Sequence, residues 1–276
     1  MRRWFAALVV VLAGAISAAS GMPAAGTASL PVQPPSPTPV PGIPEPCVST
    51  SAWPTDLAPE TTAERLQKKF GVVLMGQWWT DHHYRPLVKV VWQTLDAVSC
   101  TDYVTTIKAR NHGVLVLNAA PISGWAWGDW SLTQPGALTL DFSKWTAALD
   151  EGDTGRLVRL LIHEMGHAYT VNRFSQPPYW NKFAELYARE GRFSSYGTNL
   201  EETFSDVLGY YVGRCAKDNP FDKPGFGAYY AYARDVVFNG VEFGGEPGGP
   251  LHCETTEAPS ATSSPATPWS APRGFR

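Results

Sequence analysis

The sequence predicts an α+β domain in which a small sheet packs on one central helix and a mostly helical C-terminal part follows. Three observations carry this expectation. Short apolar runs of strand length occur at residues 72–75, 113–118 and 137–141. Longer stretches between and after them have apolar residues at helical spacing. The stretch Leu160-Leu161-Ile162-His163-Glu164-Met165-Gly166-His167 lies in a helical pattern that is apolar on most sides, the mark of a helix enclosed by other elements.

Residues 61–70 have helical character, and 72–75 (Val-Val-Leu-Met) read as a buried strand. Residues 85–98 place apolar side chains one helical turn apart, with Pro86 at the start, where proline is tolerated. Residues 113–118 form a strand pattern, and 124–130 (Gly-Trp-Ala-Trp-Gly-Asp-Trp) read as an aromatic loop before a further short strand at 137–141. Asp153 is placed to cap the helix that carries His163. Leu157, Val158, Leu161, Ile162, Met165 and Ala168 cover most of that helix, so ionisable residues within it need a reason to be there.

The folded domain is expected at 47–253. Before it, Met1-Arg2-Arg3, the apolar run 4–16 and the small residues Ser17, Ala18 and Ala19 read as a signal peptide at 1–19, with further cleavage candidates up to about residue 28. Residues 30–46 form a proline-rich linker of extended polyproline type, and 254–276, rich in Ser, Thr, Pro and Ala, read as a disordered tail. No later stretch is long and apolar enough to span a bilayer, so a secreted, soluble chain without stable membrane insertion is expected, taken to be a monomer. The formal net charge of −3 without a basic block argues against nucleic acid as a partner. Cys47, Cys100, Cys215 and Cys253 are even in number, widely spaced and free of a CxxC pair, which favours disulfides over a cysteine metal site. The pairing Cys47–Cys100 with Cys215–Cys253 would tie each end of the domain to its interior.

The chemistry centres on His163, Glu164 and His167. Residues four apart share a helix face, so both imidazoles can reach one metal ion, with the Glu164 carboxylate beside them to take a proton from water. A catalytic zinc needs a third protein ligand and an open position. No histidine closely follows His167, and the best candidate is Glu202, with Asp206 four residues on to hold a ligand histidine from behind. Glu201 is the rival ligand, but four residues on it has Ser205, a poorer supporting partner. Gly209 and Gly213 on the same helix permit close approach to another helix.

His163-Glu164-Met165-Gly166-His167, then Tyr196 and Asn199-x-x-Glu202-x-Phe204-x-Asp206, resemble the gluzincin metallopeptidases. Within these the chain is similar to the secreted bacterial group related to the anthrax lethal factor protease domain and the Pro-Pro endopeptidases, and the pair Gly124-Trp125 is also similar. The resemblance covers roughly residues 107–212 and departs at Asp206, where the lethal-factor group tends to have Glu. It implies a zincin-like fold and a zinc endopeptidase. Zn2+ would be held by His163, His167 and Glu202, Glu164 would be the general base, and Tyr196 would stabilise the oxyanion. It further implies a peptide or protein substrate added along an edge strand, here assigned to 137–141, with the aromatic loop 125–130 as a wall. Proline-rich targets, the chain's own linker included, are part of that implication. Two other readings stand beside it. One is a secreted binding module on the same scaffold, which would have no use for Glu164; the other is a zinc amidohydrolase acting on a non-peptide substrate.

Overall fold

The computed structural model describes residues 52–131, 136–245, 247–248 and 253, all within the second of two compact units, Pro37–Arg276. The signal, linker and tail segments and the pairing Cys47–Cys100 lie outside the described residues.

The chain is α+β. Helix α1 (Pro59–Phe70) leads into β1 (Val73–Met75), α2 (Arg85–Ala97), α3 (Tyr103–Arg110) and β2 (Val116–Ala119). Strands β3 (Gly128–Trp130) and β4 (Ala137–Leu140) follow, then α4 (Phe142–Asp150) and α5 (Thr154–Tyr169). Among the described residues after β4 there is no strand; the C-terminal part is α6 (Pro178–Glu190), α7 (Leu200–Val212) and α8 (Gly227–Tyr232), the last continued by a π-helical turn, Ala233–Val237. No helix among the described residues is long and apolar enough to cross a membrane.

The sheet runs β1-β2-β4-β3, with the first three strands parallel and β3 antiparallel to β4. This corrects the assignment of residues 137–141 as the edge strand. β4 is paired on both sides, and the edges among the described residues are β1 and β3, the latter joined to β4 through Gly128 with Leu140, Asp129 with Thr139 and Trp130 with Leu138. A three-residue strand is too short to show a period of two, so the tryptophan-rich segment reads as loop until its partner is known.

Helix α5 is the centre of the core, and all of residues 161–169 are buried. Its N-terminus is capped by Asp153, whose Oδ1 accepts from the Arg156 amide at 3.2 Å. Near its C-terminus, Asn111 Nδ2 donates to the Ala168 carbonyl at 2.9 Å and Arg110 Nη1 to that of Tyr169 at 2.8 Å, so backbone acceptors that the helix leaves open are satisfied from α3 and its end. The closest neighbour is α7. A Cβ on Gly209 would stand 2.8 Å from the Arg159 carbonyl oxygen, one on Gly213 2.9 Å from the Arg159 nitrogen, and one on Gly166 2.9 Å from Ser205 Cα. Glycine on both helices lets the backbones touch, and that fixes how far the side chains of α5 and α7 reach across. Beyond α7, Cys215 pairs with Cys253, 38 residues later, a closure of the unfolded chain that contributes about 4 kcal/mol in the loop-entropy account.

Replacing Gly209 with valine is expected to force α5 and α7 apart and to destabilise the domain by about 2–3 kcal/mol, read as a lower urea midpoint. Gly227→Ala, where an added Cβ meets nothing within 4 Å, serves as the control and is expected to leave the midpoint unchanged or slightly higher.

Candidate metal centre and its cleft

The α5–α7 contact brings His163, His167 and Glu202 together so that one donor atom from each lies within 4.8 Å of the others. His163 Nε2 is 3.2 Å from His167 Nε2 and 3.3 Å from Glu202 Oε2, and His167 Nε2 is 3.6 Å from the same oxygen. Ligands on a tetrahedral zinc at about 2.0–2.2 Å stand about 3.3–3.6 Å from one another, so the three edges have the size such an ion requires. Glu202 Oε2 is buried and has no hydrogen-bond partner. His163 Nδ1 lies 2.9 Å from Asp206 Oδ1, and since a carboxylate accepts, the proton sits on Nδ1 and the Nε2 lone pair faces the other two donors. Lone pairs gathered this closely repel unless a cation or proton lies among them. The donor set therefore fits zinc by type, spacing and the orphaned oxygen.

The two carboxylates next to each other at the start of α7 have different tasks. Asn199 caps the helix, its Oδ1 accepting from the Glu202 amide at 2.9 Å, which sets the helical phase. Glu202 then faces the histidines. Glu201 stands on the outer side of His167, with Oε1 3.5 Å from Nδ1, and its other oxygen is held by Arg173 Nη2 at 2.8 Å. The rival ligand is thus a support for the second histidine. Asp206, fully buried, is held by Arg159 Nη2 at 2.6 Å and by the Ser194 hydroxyl. Arg159 and Ser194 were not singled out from the sequence. Arg159 carries a legible signal, lying four residues before His163 on the same helix, whereas Ser194 carries none.

Electrostatics follow from this crowding of carboxylates. Burial disfavours the charged form of both imidazoles, but Glu201 and Glu202 outweigh it at His167, pushed up to about 9, and Asp206 and Glu202 raise His163. The two histidines beside its Oε2 outweigh burial and hold the Glu202 carboxyl far below the usual carboxylate range. Burial raises Glu164 despite the pull of the two histidines.

Glu164 is buried and lies directly under β3: a Cβ on Gly128 would stand 2.7 Å from Glu164 Oε1, so a larger residue there would displace the Glu164 side chain. Tyr196 is 45% exposed at the rim. Its ring meets His163 edge-on at 5.7 Å and Trp125 at 6.1 Å, and burial together with Glu202, Glu164 and Asp206 raises its phenol, keeping a proton available to donate. A cleft of about 360 Å³ opens on His163, His167, Glu202, Glu164, Trp125, Trp130 and Tyr196, leaving the donor cluster accessible from one side.

Both rim loops are fastened by cations. Lys144 Nζ donates to the carbonyls of Ile122, Gly124 and Ala126 at 2.6, 2.9 and 2.7 Å. Arg192 Nε donates to the Gly197 carbonyl at 3.0 Å and its Nη2 to that of Ser195. Asp141 completes the first attachment by accepting from the Ile122 amide at 2.9 Å.

Searches against family models, curated proteins and solved structures return no match to this chain.

Burial alone would raise Asp141, but the Ile122 amide, the Ser143 hydroxyl and Lys144 outweigh it and lower the carboxyl. A depressed folded pKa contributes stability that is complete above the unfolded value of about 3.9 and is lost as pH falls through the folded value. The Trp125 loop is therefore expected to loosen only below about pH 4, seen as a rise in protease cutting near residue 124. Asp141→Asn should show that cutting already at neutral pH, with no further acid step.

Proposed function

We propose that this chain is a secreted zinc-dependent endopeptidase of gluzincin type, with a zincin-like arrangement of sheet and helix. The observation that carries the proposal is the convergence of His163 Nε2, His167 Nε2 and the unpartnered Glu202 Oε2 at tetrahedral spacing, with Glu164 beside them. The resemblance of the two motifs to gluzincins supports it, as does the Cys215–Cys253 disulfide, which suits an oxidising compartment.

Zinc held there supplies Lewis acidity toward a carbonyl and makes water a better nucleophile at neutral pH. The chain's own residues do the rest. Glu164 takes the proton of the attacking water and delivers it to the leaving amine; its burial under Gly128 raises its basicity and excludes bulk water from that side. Tyr196, still protonated, donates toward the oxygen on which charge develops. Asp206 holds the proton on His163 Nδ1, and Glu201 flanks His167. The free edge of β3 offers backbone groups to an extended peptide lying across Glu164, and the Trp125–Trp130 side chains flank that path.

Elemental analysis of the purified protein is expected to give one zinc per chain, lost on Glu202→Ala. Asp206→Asn should weaken zinc affinity about 10–100-fold. Glu164→Gln should keep the metal while peptide hydrolysis falls by at least about 10²-fold. A chain that takes up no zinc, or a Glu164→Gln variant as active as the parent, would overturn the proposal. Cleavage within residues 30–46 by the parent and not by Glu164→Gln, read by N-terminal sequencing, would extend the substrate range to the chain's own linker.

A further inference from the structure

A second cavity, of about 180 Å³, adjoins the metal cleft and shares His163, Glu164, Gly128, Trp125 and Tyr196 with it, but its remaining lining is of a different kind. That lining is Trp127 together with Arg156, Arg159 and Leu160 from the first turns of α5. It is smaller than pockets for whole small-molecule ligands and suits a single side chain or chain end. Its two arginines are not equivalent. Arg159 is neutralised by Asp206 at 2.6 Å. Arg156 lies with its guanidinium carbon 3.9 Å from the centre of the Trp127 ring, and its guanidinium makes no ion pair or hydrogen bond with a described residue. Contact with the indole face holds the guanidinium at the cavity while leaving its N–H donors free, and such a fork can take a carboxylate with two parallel hydrogen bonds.

We propose that this cavity is the specificity pocket of the site, and that Arg156 makes it select a carboxylate next to the scissile bond. The carboxylate belongs either to an Asp or Glu side chain or to a free C-terminus. The proposal deepens the zinc-peptidase reading, as an endopeptidase where the carboxylate is a side chain and as a carboxypeptidase where it is a chain end, and rests on it for the position of the scissile bond, whereas the binding of the carboxylate does not depend on hydrolysis. The contact with Trp127 holds the Arg156 charge at the cavity wall.

The test uses two peptide pools, identical except that Glu and Asp in one are replaced by Gln and Asn in the other, each made with free and with amidated C-termini. The zinc-loaded protein is expected to cleave the acidic pool, or the free-terminus pool, on the order of 10- to 100-fold faster than its neutral counterpart, a ratio set by one charge-assisted pair. Arg156→Met should reduce that ratio to near one, and Arg156→Glu should favour basic residues at the same position. The free-terminus arm distinguishes the two sources of carboxylate. Retention of the pools on immobilised Glu164→Gln protein gives the same comparison without chemistry. Preferential retention of the acidic or free-terminus pool, lost in the Glu164→Gln/Arg156→Met double variant, supports the pocket even if neither pool is cut. Equal cleavage and equal retention of all pools, or a preference that Arg156→Met leaves intact, would overturn it.

Discussion

The backbone contact between α5 and α7 is the constraint on which the site depends. Three donors from two helices reach common spacing only if the helices lie closer than ordinary side chains permit, and Gly166, Gly209 and Gly213 remove the obstacle at successive turns. The same closeness lets Arg159 of α5 reach Asp206 of α7, so the residue that orients His163 is itself held from the helix that carries His163. A small change in the separation of these helices would act on every distance in the cluster together.

Charge is the second organising fact. Glu164, Glu201, Glu202 and Asp206 surround two imidazoles, and the two arginines that reach these carboxylates are each committed to one of them: Arg173 to Glu201 and Arg159 to Asp206. The carboxylates facing inward are left short of positive charge, which a divalent cation supplies directly. Burying unbalanced carboxylates in a core is costly in a protein of marginal stability, so an arrangement of this kind points to binding rather than to folding as its reason.

Much of this was legible in the residues. The period of His163 and His167, the Asp153 cap, the shared face of Glu202 and Asp206, and the Gly209–Gly213 pair are local patterns on helices, where spacing in sequence translates into direction in space. The choice of Glu202 over Glu201 was legible too, through Asp206 four residues on where Glu201 has Ser205, whereas the support that Glu201 gives His167 was not. The sheet was harder to read. Which strand forms its edge depends on pairing between segments distant in sequence, and β3 is too short to announce itself, so residues 137–141 read as the edge when β4 is interior. Gly128 over Glu164 and Ser194 against Asp206 are contacts made by tertiary approach alone, and no local pattern encodes them.

With α5 enclosed on nearly every side, the part of the molecule that carries the chemistry has no room to breathe. Whatever widens the cleft must come from its two rims, and each rim is moored by one flexible cation to a row of carbonyl oxygens: Lys144 on the tryptophan side, Arg192 on the tyrosine side. Such moorings are strong against small displacements and are released one bond at a time, because the cation can shed one carbonyl while keeping the next. The two rims of the cleft are thus held by a lysine and an arginine that belong to neither the donor cluster nor its carboxylate supports.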